Sequence, residues 1–369
     1  MKYYLIAGEA SGDLHGARLI EALKAQDPKA SIRCWGGDLM QQAGGTLIKH
    51  YRDLAFMGFW EVLINLPTIL KNIRFCKADI MGFAPDVVIY IDYPGFNLRL
   101  AEWARKKGYR NHYYISPQLW AWKANRAAKM KRDLDALYTI LPFEKAYFKE
   151  KHNYEVHYVG HPLLDSLAKS NPPKDFRKTH ALDDRPIVAL LPGSRQQEVK
   201  KMLPLFLKMI PAFPDHQFVI AGTPTLGKAY YTALMDTQFC NIVVGNTYAL
   251  LQSSEAALVT SGTATLETAL FEVPQVVCYK TSGFSYWLAK KWVTLEWISL
   301  VNLIFDREVV EELIQEKCTA EKLEKALREI LSPEGKVHLK KQYQQLNQLL
   351  DQGGASQKTA ALILEACLK

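Results

Sequence analysis

The hydrophobic residues in the first half of the chain form short continuous runs, and segments with helical spacing separate these runs. Helical segments are predicted up to Lys24 and through Trp103 to Lys107. The apolar runs cover residues 3–7, 87–91, 112–115 and 136–141. Alternation of buried strands with helices is typical of βαβ units. The pattern therefore predicts a parallel sheet in this half of the chain.

The same pattern returns after a polar segment that contains Pro172 and Pro173. This segment, residues 169–174, has the composition of an interdomain linker. From residue 307 onward the chain is mostly helical, with breaks at residues 332–335 and 353–354. The second set of predicted strands covers residues 187–191, 217–221, 242–244, 256–260 and 275–279.

The two sets of strands predict an α/β fold with two Rossmann-like domains. We expect the first domain to span residues 1–168 and the second to span residues 174–340. The helices of residues 341–369 are expected to return to the first domain. With 369 residues, of which 49% are hydrophobic, the chain is long enough for each domain to have its own core.

A formal net charge of +8 and an isoelectric point near 9.0 favour an anionic partner. No nucleic-acid-binding motif accompanies the basic residues, so nucleic acid is not expected as a partner. The chain has no apolar run long enough to span a membrane, and its first strand ends too early for a signal peptide, so we expect a cytosolic protein. The six cysteines are scattered without a C-x-x-C pair, which argues against a zinc site or a disulfide framework.

The first predicted strand ends in a turn rich in small residues. Gly8, Gly12 and Gly16 match neither the dinucleotide-binding fingerprint nor a Walker loop. Glycine lets another group approach the backbone closely, and the helix that follows offers unpaired N–H groups. We therefore expect this turn to contact a ligand. The alternative is a tight βα turn in which Ser11 or Asp13 caps the helix.

In open α/β sheets, ligands bind at the carboxyl ends of the strands. Gly193, Ser194 and Arg195 follow the predicted strand of residues 187–191. An arginine there favours a diphosphate ligand, because it donates charge-assisted hydrogen bonds while the amides of the turn bind the remaining oxygens. The alternative is an ion pair between Arg195 and Glu198.

A second group of small residues follows the predicted strand of residues 256–260. Gly262 and Thr263 lie at a helix start, and Glu267 lies about one turn into that helix. Small residues allow a nucleotide to approach the amides, and a carboxylate can accept hydrogen bonds from both hydroxyls of a ribose. A capping box at Thr263 or Thr265 is the alternative, and both can hold together.

Asp92 follows the buried strand of residues 87–91 and enters a Pro-Gly turn. A carboxylate in this place is a candidate general base. The alternative is that Asp92 or Asn97 caps the next helix. After the strand of residues 112–115 come Gln118 and Trp120, where aromatic rings near cations suit a sugar or an acyl chain, although core packing explains tryptophans equally well.

Asp133 and Asp135 have the D-x-D form of some metal sites. They follow a basic run and precede a strand, so we interpret them as surface charges paired with cations. His15 and His161 lie in loops but lack metal-ligand spacing to another histidine. No metal and no cofactor are predicted.

An apolar and aromatic stretch, residues 55–67, precedes Lys71, Arg74 and Lys77. A helix of this kind can lie in the interface of an anionic membrane, and a buried core helix is the alternative. The residues predicted to contact the membrane are Phe56, Met57, Phe59, Trp60 and Leu63.

Taken in order, these segments resemble lipid A disaccharide synthases, which are inverting glycosyltransferases of GT-B fold. The resemblance covers nearly the whole chain and implies two Rossmann-like domains that face a cleft, with a helical C-terminal tail packed on the first domain. It rests on residues 7–13, 91–97, 116–122, 141–145, 160–162, 191–195, 261–267 and 297–302.

The family implies transfer of 2,3-diacylglucosamine from UDP-2,3-diacylglucosamine to the 6-hydroxyl of 2,3-diacylglucosamine 1-phosphate. The products are a β(1→6) disaccharide and UDP, and the reaction needs no metal. The family is also peripherally membrane-bound, which favours the interfacial interpretation of the apolar stretch and a place on the inner face of the cytoplasmic membrane. A homodimer is left open.

Position by position, the resemblance implies that Asp92 is the general base, that Arg195 binds the UDP phosphates and that Glu267 binds the ribose. Asn302 would lie near the donor site. Two positions depart from the pattern of many members, namely Val301, where they carry proline, and Gly95, where they carry a second acidic residue.

Because Arg195 and Glu267 place UDP in the second domain, the opening turn is expected on the side of the acceptor or the transferred sugar. The residues predicted there are Glu9, Ser11, Gly12, Asp13, Asn97, Gln118 and Trp120.

Two other classes of function are compatible with these motifs. One is another GT-B sugar-nucleotide enzyme, such as a UDP-N-acetylglucosamine 2-epimerase or a transferase with a polyprenyl acceptor. The other is a noncatalytic protein that binds a UDP-sugar or a lipid, which would bind UDP without turnover.

Overall fold

The computed structural model describes residues 1–53, 66–120, 126–167, 175–235, 240–281, 296–350 and 353–368. The predicted membrane-contact residues Phe56, Met57, Phe59, Trp60 and Leu63 lie outside the described residues. The chain divides into two compact units. One unit comprises Met1–Asp165 and Leu350–Lys369, and the other comprises Ser166–Leu349.

The first unit is built on a parallel sheet, in which the described residues form seven strands in the order β3-β2-β1-β4-β5-β6-β7. These strands are β1 (Lys2–Ala7), β2 (Ser31–Gly36), β3 (Thr46–His50), β4 (Val87–Ile91), β5 (Arg110–Tyr114), β6 (Ala136–Thr139) and β7 (His157–Tyr158). The helices are α1 (Ala10–Gln26), α2 (Asp38–Gln42), α3 (Leu66–Phe83), α4 (Pro94–Lys106), α5 (Arg126–Asp133), α6 (Glu144–His152) and α7 (Pro162–Leu167).

The second unit contains a parallel sheet whose described residues form six strands in the order β10-β9-β8-β11-β12-β13. These strands are β8 (Ile187–Leu191), β9 (Gln217–Gly222), β10 (Asn241–Val244), β11 (Ala256–Thr260), β12 (Gln275–Tyr279) and β13 (Glu312–Ile314). The helices are α8 (Phe176–Thr179), α9 (Gln196–Leu207), α10 (Gly227–Thr232), α11 (Thr247–Gln252), α12 (Thr263–Leu270), α13 (Leu300–Phe305), α14 (Ala320–Leu331) and α15 (Pro333–Leu349).

The last helix, α16 (Ala355–Leu368), belongs to the first unit. Ala360 and Ile363 on α16 are fully buried in the core beneath β1 and α1. The Asp165 carboxylate caps this helix, because it accepts hydrogen bonds from the backbone N–H groups of Gly354 (2.6 Å) and Ser356 (3.0 Å). The first unit resumes at Leu350, so residues 341–349 form part of a helix in the second unit.

Apolar burial explains why the central strands form where they do. Every residue of β4 and every residue of β11 is buried, and helices cover both faces of such strands in a parallel sheet. Gly12 allows α1 to lie close to the first sheet, since a Cβ atom there would be 3.0 Å from the Ala7 Cβ. The two parallel sheets confirm the predicted α/β class.

Two buried histidines are expected to make the first unit sensitive to acid. His15 on α1 and His161 after β7 are both buried. Burial lowers the pKa of His15 to about 4, and the Asp165 carboxylate opposes this shift. Burial, together with the nearby His15, lowers the pKa of His161 to about 3. Both rings are therefore neutral in the folded protein at neutral pH.

We expect the free energy of unfolding to fall as the pH drops from 6.5 to about 4. In this range the unfolded histidines bind protons and the folded ones do not, which costs about 1.4 kcal/mol for each unit of pKa difference. Urea denaturation at a series of pH values should therefore give a shallower pH dependence for His161→Asn than for the wild type. The exposed His338 supplies the control variant His338→Asn, and equal slopes in all three proteins would contradict the prediction.

Candidate functional site

The predicted site segments of the first unit leave strands that are neighbours in the sheet. Strand β1 lies beside β4, β4 beside β5, and β5 beside β6. Because these strands are parallel, the loops that follow them meet at one edge of the sheet. This edge is where the sequence places Asp92, the opening turn and the segment of Gln118 and Trp120.

Asp92 is the first residue after β4, and its side chain is partly buried. Asp92 and Tyr93 both have left-handed backbone conformations, with φ of 45° and 51°. Such values are uncommon for residues other than glycine, and a strained backbone of this kind is one feature of functional sites. Burial raises the pKa of the Asp92 carboxyl, and a hydrogen bond from the Tyr93 N–H opposes this shift.

The alternative role of Asp92 or Asn97 as a helix cap is wrong. Helix α4 begins at Pro94, and the preceding Tyr93 provides no side-chain cap. The buried Asn97 amide instead donates to the backbone carbonyls of Asp92 (2.7 Å) and Ile91 (3.3 Å). Asn97 therefore supports the end of β4, and no described residue donates to its Oδ1 atom.

The opening turn is a place of close approach, as predicted, and the group that approaches it is a side chain of the protein. A Cβ atom on Gly8 would lie 2.3 Å from the Tyr93 ring. Glu9 is partly buried and Ser11 is exposed at the start of α1. Gly12 is buried against β1. The loops after β1 and β4 are thus packed directly on each other.

Asp13 has a structural partner that its position in the sequence does not reveal. Its buried carboxylate accepts hydrogen bonds from the backbone N–H groups of Gly37 (2.7 Å), Met40 (3.0 Å) and Leu39 (3.2 Å). The alternative that Asp13 caps its own helix is wrong, because α1 begins at Ala10 and these partners belong to α2 and the residue before it. Asp13 fixes α2 against α1.

The segment after β5 presents Gln118 on the surface and Trp120 at an intermediate depth. The Trp120 indole donates to the Glu144 Oε1 atom at 3.3 Å and meets the Phe143 ring edge-on at 5.1 Å. Glu144 is buried and also accepts from the backbone N–H of Leu141 at 2.9 Å. Burial raises the pKa of Glu144 to about 7. No pattern in the sequence identifies Glu144 as the partner of Trp120.

In the second unit, Gly193, Ser194 and Arg195 follow β8, the strand beside β11. The Glu198 Oε2 atom accepts from the backbone N–H groups of Ser194 (3.1 Å) and Arg195 (3.3 Å). The Arg195 guanidinium lies 3.6 Å from Glu198 Oε1 and is 64% exposed. The alternative ion pair therefore forms, but it leaves the guanidinium largely in solvent. Gly193 has a φ of 108°, which glycine adopts without strain.

Gly262 and Thr263 lie after β11 and are exposed. Within the described chain, no side chain caps α12, so the alternative of a capping box at Thr263 or Thr265 is wrong. The Thr265 hydroxyl instead donates to the Gly262 carbonyl at 2.8 Å. The positive end of this helix dipole is therefore presented to solvent.

Glu267 lies one turn into α12 and is partly buried. The Tyr248 hydroxyl donates to its Oε1 atom at 3.1 Å. Burial raises the pKa of Glu267, and the hydrogen bond from Tyr248 opposes this shift. Tyr248 belongs to α11, which follows β10, so this contact could not be predicted from the motif around Glu267.

The resemblance implies that Asn302 lies near the donor site and binds UDP, but its side chain is bonded within the protein. It is fully buried on α13, and its Oδ1 atom accepts from the backbone N–H groups of Val309 (2.8 Å) and Val310 (3.0 Å). Its amide donates to the Val310 carbonyl and to Glu312 Oε1, both at 2.9 Å. The Asn302 side chain thus forms its hydrogen bonds with nearby residues of the same segment of the chain.

Glu312, which the sequence did not single out, completes this arrangement. Its carboxylate accepts from the backbone N–H groups of Ile298 and Ser299, each at 2.9 Å, and from Asn302. The Ser261 hydroxyl donates to the Ile298 carbonyl at 2.9 Å. Glu312 and Ser261 together fix the segment before α13 beside the end of β11.

We expect Glu312→Gln to lower the free energy of unfolding by about 2 kcal/mol. The glutamine places an NH₂ group, which cannot accept a hydrogen bond, where one carboxylate oxygen accepts from N–H donors. Glu311→Gln is the matched control, since Glu311 is the adjacent, exposed carboxylate. The control should stay within about 0.5 kcal/mol of the wild type. Urea denaturation measures both variants, and equal losses would contradict the role of Glu312.

Asp133 and Asp135 are paired with arginines, as predicted. The Arg132 guanidinium donates to both oxygens of Asp133 at 2.7 Å, and Arg105 donates to Asp135 Oδ1 at 2.6 Å. Asp133 itself is buried, whereas its partner Arg132 is 56% exposed, so only the arginine of this pair lies on the surface as expected. The basic run before it supplies the partner.

Residues 3–366 match the lipid-A-disaccharide synthetase family. The lipid-A-disaccharide synthase of Alcanivorax borkumensis is 38% identical over 368 residues, which cover 97% of this chain and 96% of that protein. The lipid-A-disaccharide synthase of Chromohalobacter salexigens is 38% identical over 336 residues, which cover 89% and 87% of the two chains.

Solved structures show the same fold at low identity. The UDP-GlcNAc 2-epimerase from Neisseria meningitidis bound to UDP-GlcNAc has a TM-score of 0.71 at 12% identity, covering 99% of this chain and 100% of that one. The glycotransferase of kitacinnamycin has a TM-score of 0.66 at 14% identity, covering 100% and 99%. These likenesses support the predicted GT-B class of two Rossmann-like domains. The family match and the relatives confirm the resemblance predicted from the sequence, and the chain belongs to the lipid-A-disaccharide synthetase family.

Proposed function

We propose that the chain transfers 2,3-diacylglucosamine from UDP-2,3-diacylglucosamine to the 6-hydroxyl of 2,3-diacylglucosamine 1-phosphate. Family membership makes the protein a hexosyltransferase that forms the lipid A disaccharide. In the proposed reaction the acceptor oxygen forms a bond to the anomeric carbon and the bond to the diphosphate breaks. UDP leaves, and the α configuration of the donor becomes β in the product.

The observation that carries the proposed mechanism is the position of Asp92. Its carboxylate follows a fully buried strand, sits on left-handed backbone and has a pKa raised by burial. A base with a pKa closer to neutrality takes a proton more effectively. Asp92 therefore removes the proton of the acceptor 6-hydroxyl as this oxygen attacks.

The second unit binds UDP in this proposal. The exposed Arg195 guanidinium donates to the diphosphate, and the uncapped N-terminus of α12, at Gly262 and Thr263, stabilises the negative charge that develops on the leaving group. Glu267, oriented by Tyr248, accepts from the ribose hydroxyls. Asn302 acts by holding the loop near this site, because its side chain is occupied by the loop itself.

In this proposal the reaction proceeds without a metal, because Arg195 and the helix dipole supply the positive charge that the departing diphosphate needs. On the acceptor side, Glu9, Ser11, Gln118 and Trp120 lie on loops that leave the same sheet edge as Asp92. In this proposal the second unit binds UDP, and the first unit binds the acceptor or the transferred sugar.

Release of UDP tests this function against its alternatives. Wild-type protein given UDP-2,3-diacylglucosamine should release UDP only when 2,3-diacylglucosamine 1-phosphate is present. A 2-epimerase would convert UDP-N-acetylglucosamine with no lipid acceptor, and a noncatalytic protein would bind UDP without releasing any from the donor. Either result would contradict the proposal.

Membrane contact is also part of the proposal, and it is supported by helix α3. Leu70, Phe75 and Met81 are 45%, 49% and 51% exposed on this helix, beside the exposed cations Lys71 and Arg74. Apolar side chains with cations at headgroup level suit the surface of an anionic bilayer. No helix in the described part of the chain is long and apolar enough to cross a membrane. The inner face of the cytoplasmic membrane as the location and the homodimer stay predictions.

We expect the triple variant Leu70→Ser, Phe75→Ser and Met81→Ser to bind phosphatidylglycerol vesicles at least about 10-fold more weakly than the wild type. Each apolar side chain that becomes buried in the bilayer contributes about 1.5 kcal/mol or more to binding. The control is Val337→Ser with Leu349→Ser, which removes exposed apolar side chains from the second unit. Vesicle sedimentation measures binding, and equal binding of the triple variant and the wild type would contradict a membrane role for α3.

A further inference from the structure

A buried tyrosine contacts the backbone of Asp92 from the neighbouring strand. Tyr113 lies on β5, is fully buried and packs in the core on one face of the first sheet. Its hydroxyl donates to the Asp92 carbonyl oxygen at 2.5 Å. No role for Tyr113 was predicted from the sequence, because this residue lies within an apolar strand, where a core position is expected.

The Asp92 peptide needs such support because its backbone is strained. Two successive left-handed residues other than glycine, Asp92 and Tyr93, cost free energy and persist only where the surroundings fix them. Three hydrogen bonds to described residues fix the backbone of Asp92 on both sides of its Cα atom. Its N–H donates to the Tyr114 carbonyl at 3.1 Å, and its carbonyl accepts from Tyr113 and, at 2.7 Å, from Asn97.

The bond from Tyr113 differs from the other two in its origin. The bond to Tyr114 continues the pairing of β4 with β5, and the bond from Asn97 comes from the helix that follows Asp92. Tyr113 reaches the carbonyl from inside the core, where its ring cannot move without disturbing its neighbours. It therefore links the orientation of the Asp92 peptide to a rigid part of the sheet.

We propose that Tyr113 is a positioning residue for the reaction, which holds the strained Asp92 peptide so that the carboxylate points at the acceptor hydroxyl. This inference rests on the proposed role of Asp92 as the base. Tyr113 does not touch substrate in this proposal and acts only through the Asp92 carbonyl. A shift of the base by about 1 Å is enough to lower a rate by about 100-fold.

The neighbouring Tyr90 offers a matched control. Tyr90 is fully buried in the same core, pairs directly with Tyr113 across β4 and β5, and lies 6.0 Å from it between ring centroids. Its hydroxyl donates to the Asn111 side chain at 3.1 Å. Tyr90→Phe thus removes a buried, hydrogen-bonded hydroxyl without removing a bond to Asp92.

Tyr113→Phe should lower kcat by about 10- to 100-fold and leave the KM for UDP-2,3-diacylglucosamine unchanged. Tyr90→Phe should keep kcat within about 3-fold of the wild type, although both variants lose similar stability in urea denaturation. Equal losses of kcat in the two variants would show that Tyr113 serves packing alone and would overturn the inference.

The decisive comparison uses the Asp92→Asn background. If Tyr113 acts through Asp92 as the base, Tyr113→Phe should not lower the residual rate of Asp92→Asn further. If Tyr113→Phe instead lowers the rate of Asp92→Asn by about 10-fold or more, as it is expected to do in the wild type, the inference is overturned. Full activity of Asp92→Asn alone would instead remove the proposed base, so the two failures are distinguishable.

Discussion

Asp92→Asn is expected to lower kcat by about 10²- to 10⁴-fold, the usual contribution of general-base assistance. The asparagine has the same shape and cannot take the proton of the acceptor 6-hydroxyl. Binding of UDP should survive, because the proposed UDP ligands belong to the second unit. Initial rates measure kcat, and isothermal titration with UDP measures the dissociation constant.

The control for this variant is Asp86→Asn. Asp86 lies just before the start of β4, at the other end of the same strand, where its carboxylate accepts from the Lys2 N–H at 2.7 Å. Its kcat should match that of the wild type. Full activity of Asp92→Asn would remove the base assignment.

The role of Asp92 as general base also predicts how the rate depends on pH. Burial raises the pKa of Asp92, so the carboxylate takes up its proton at a higher pH than an ordinary aspartate does. The base is active above this pKa and is lost as the pH falls through it. In the wild type, kcat/KM should decrease on the acid side with a midpoint above the ordinary range, and Asp92→Asn should lack this decrease.

Arg195→Ala is expected to raise the dissociation constant for UDP by about 10- to 100-fold, which corresponds to the loss of charge-assisted hydrogen bonds. Stability should change little, because the ion pair with Glu198 is exposed and long. Arg195→Lys should recover only part of the affinity, since a lysine cannot donate in the planar, paired geometry of a guanidinium.

Lys200→Ala is the matched control, because Lys200 is an exposed cation on α9, the helix that begins directly after Arg195. Titration calorimetry with UDP compares the three variants with the wild type. An unchanged dissociation constant in Arg195→Ala, or an equal loss in Lys200→Ala, would contradict the assignment of Arg195 to the diphosphate.

The fold was predictable where burial makes a strand uniformly apolar. Strands β4, β8 and β11 have the predicted bounds, because the two buried faces of a parallel strand demand continuous hydrophobic residues. Strands β2, β3 and β13 were not predicted. They mix polar with apolar residues or are only three residues long, so no apolar run marks them.

The candidate site was predictable only as far as local sequence determines it. The exits of the strands could be located, and with them Asp92, Arg195 and Glu267. The contacts that support these residues come from elsewhere in the chain, as Tyr113 does for Asp92 and Tyr248 does for Glu267. Nothing in the spacing of a motif encodes such pairs.

Asp13 and Asn302 show that a residue predicted to contact a ligand can have a structural role instead. Asp13 was expected to face a ligand because it lies in a turn of small residues, and Asn302 was expected near the donor site because the family resemblance implies it. Their side chains are instead buried and bonded to backbone groups of nearby loops. A polar residue in a functional motif can thus serve the loop that carries the site.

The identity of the product tests the proposed reaction most directly. Wild-type protein is incubated with UDP-2,3-diacylglucosamine and 2,3-diacylglucosamine 1-phosphate, with and without EDTA, and the product is characterised by mass spectrometry and proton NMR. We expect the disaccharide 1-phosphate with a β linkage to the 6-oxygen, formed equally in both reactions. An α linkage, the absence of a disaccharide or a product that forms only without EDTA would contradict the proposed reaction.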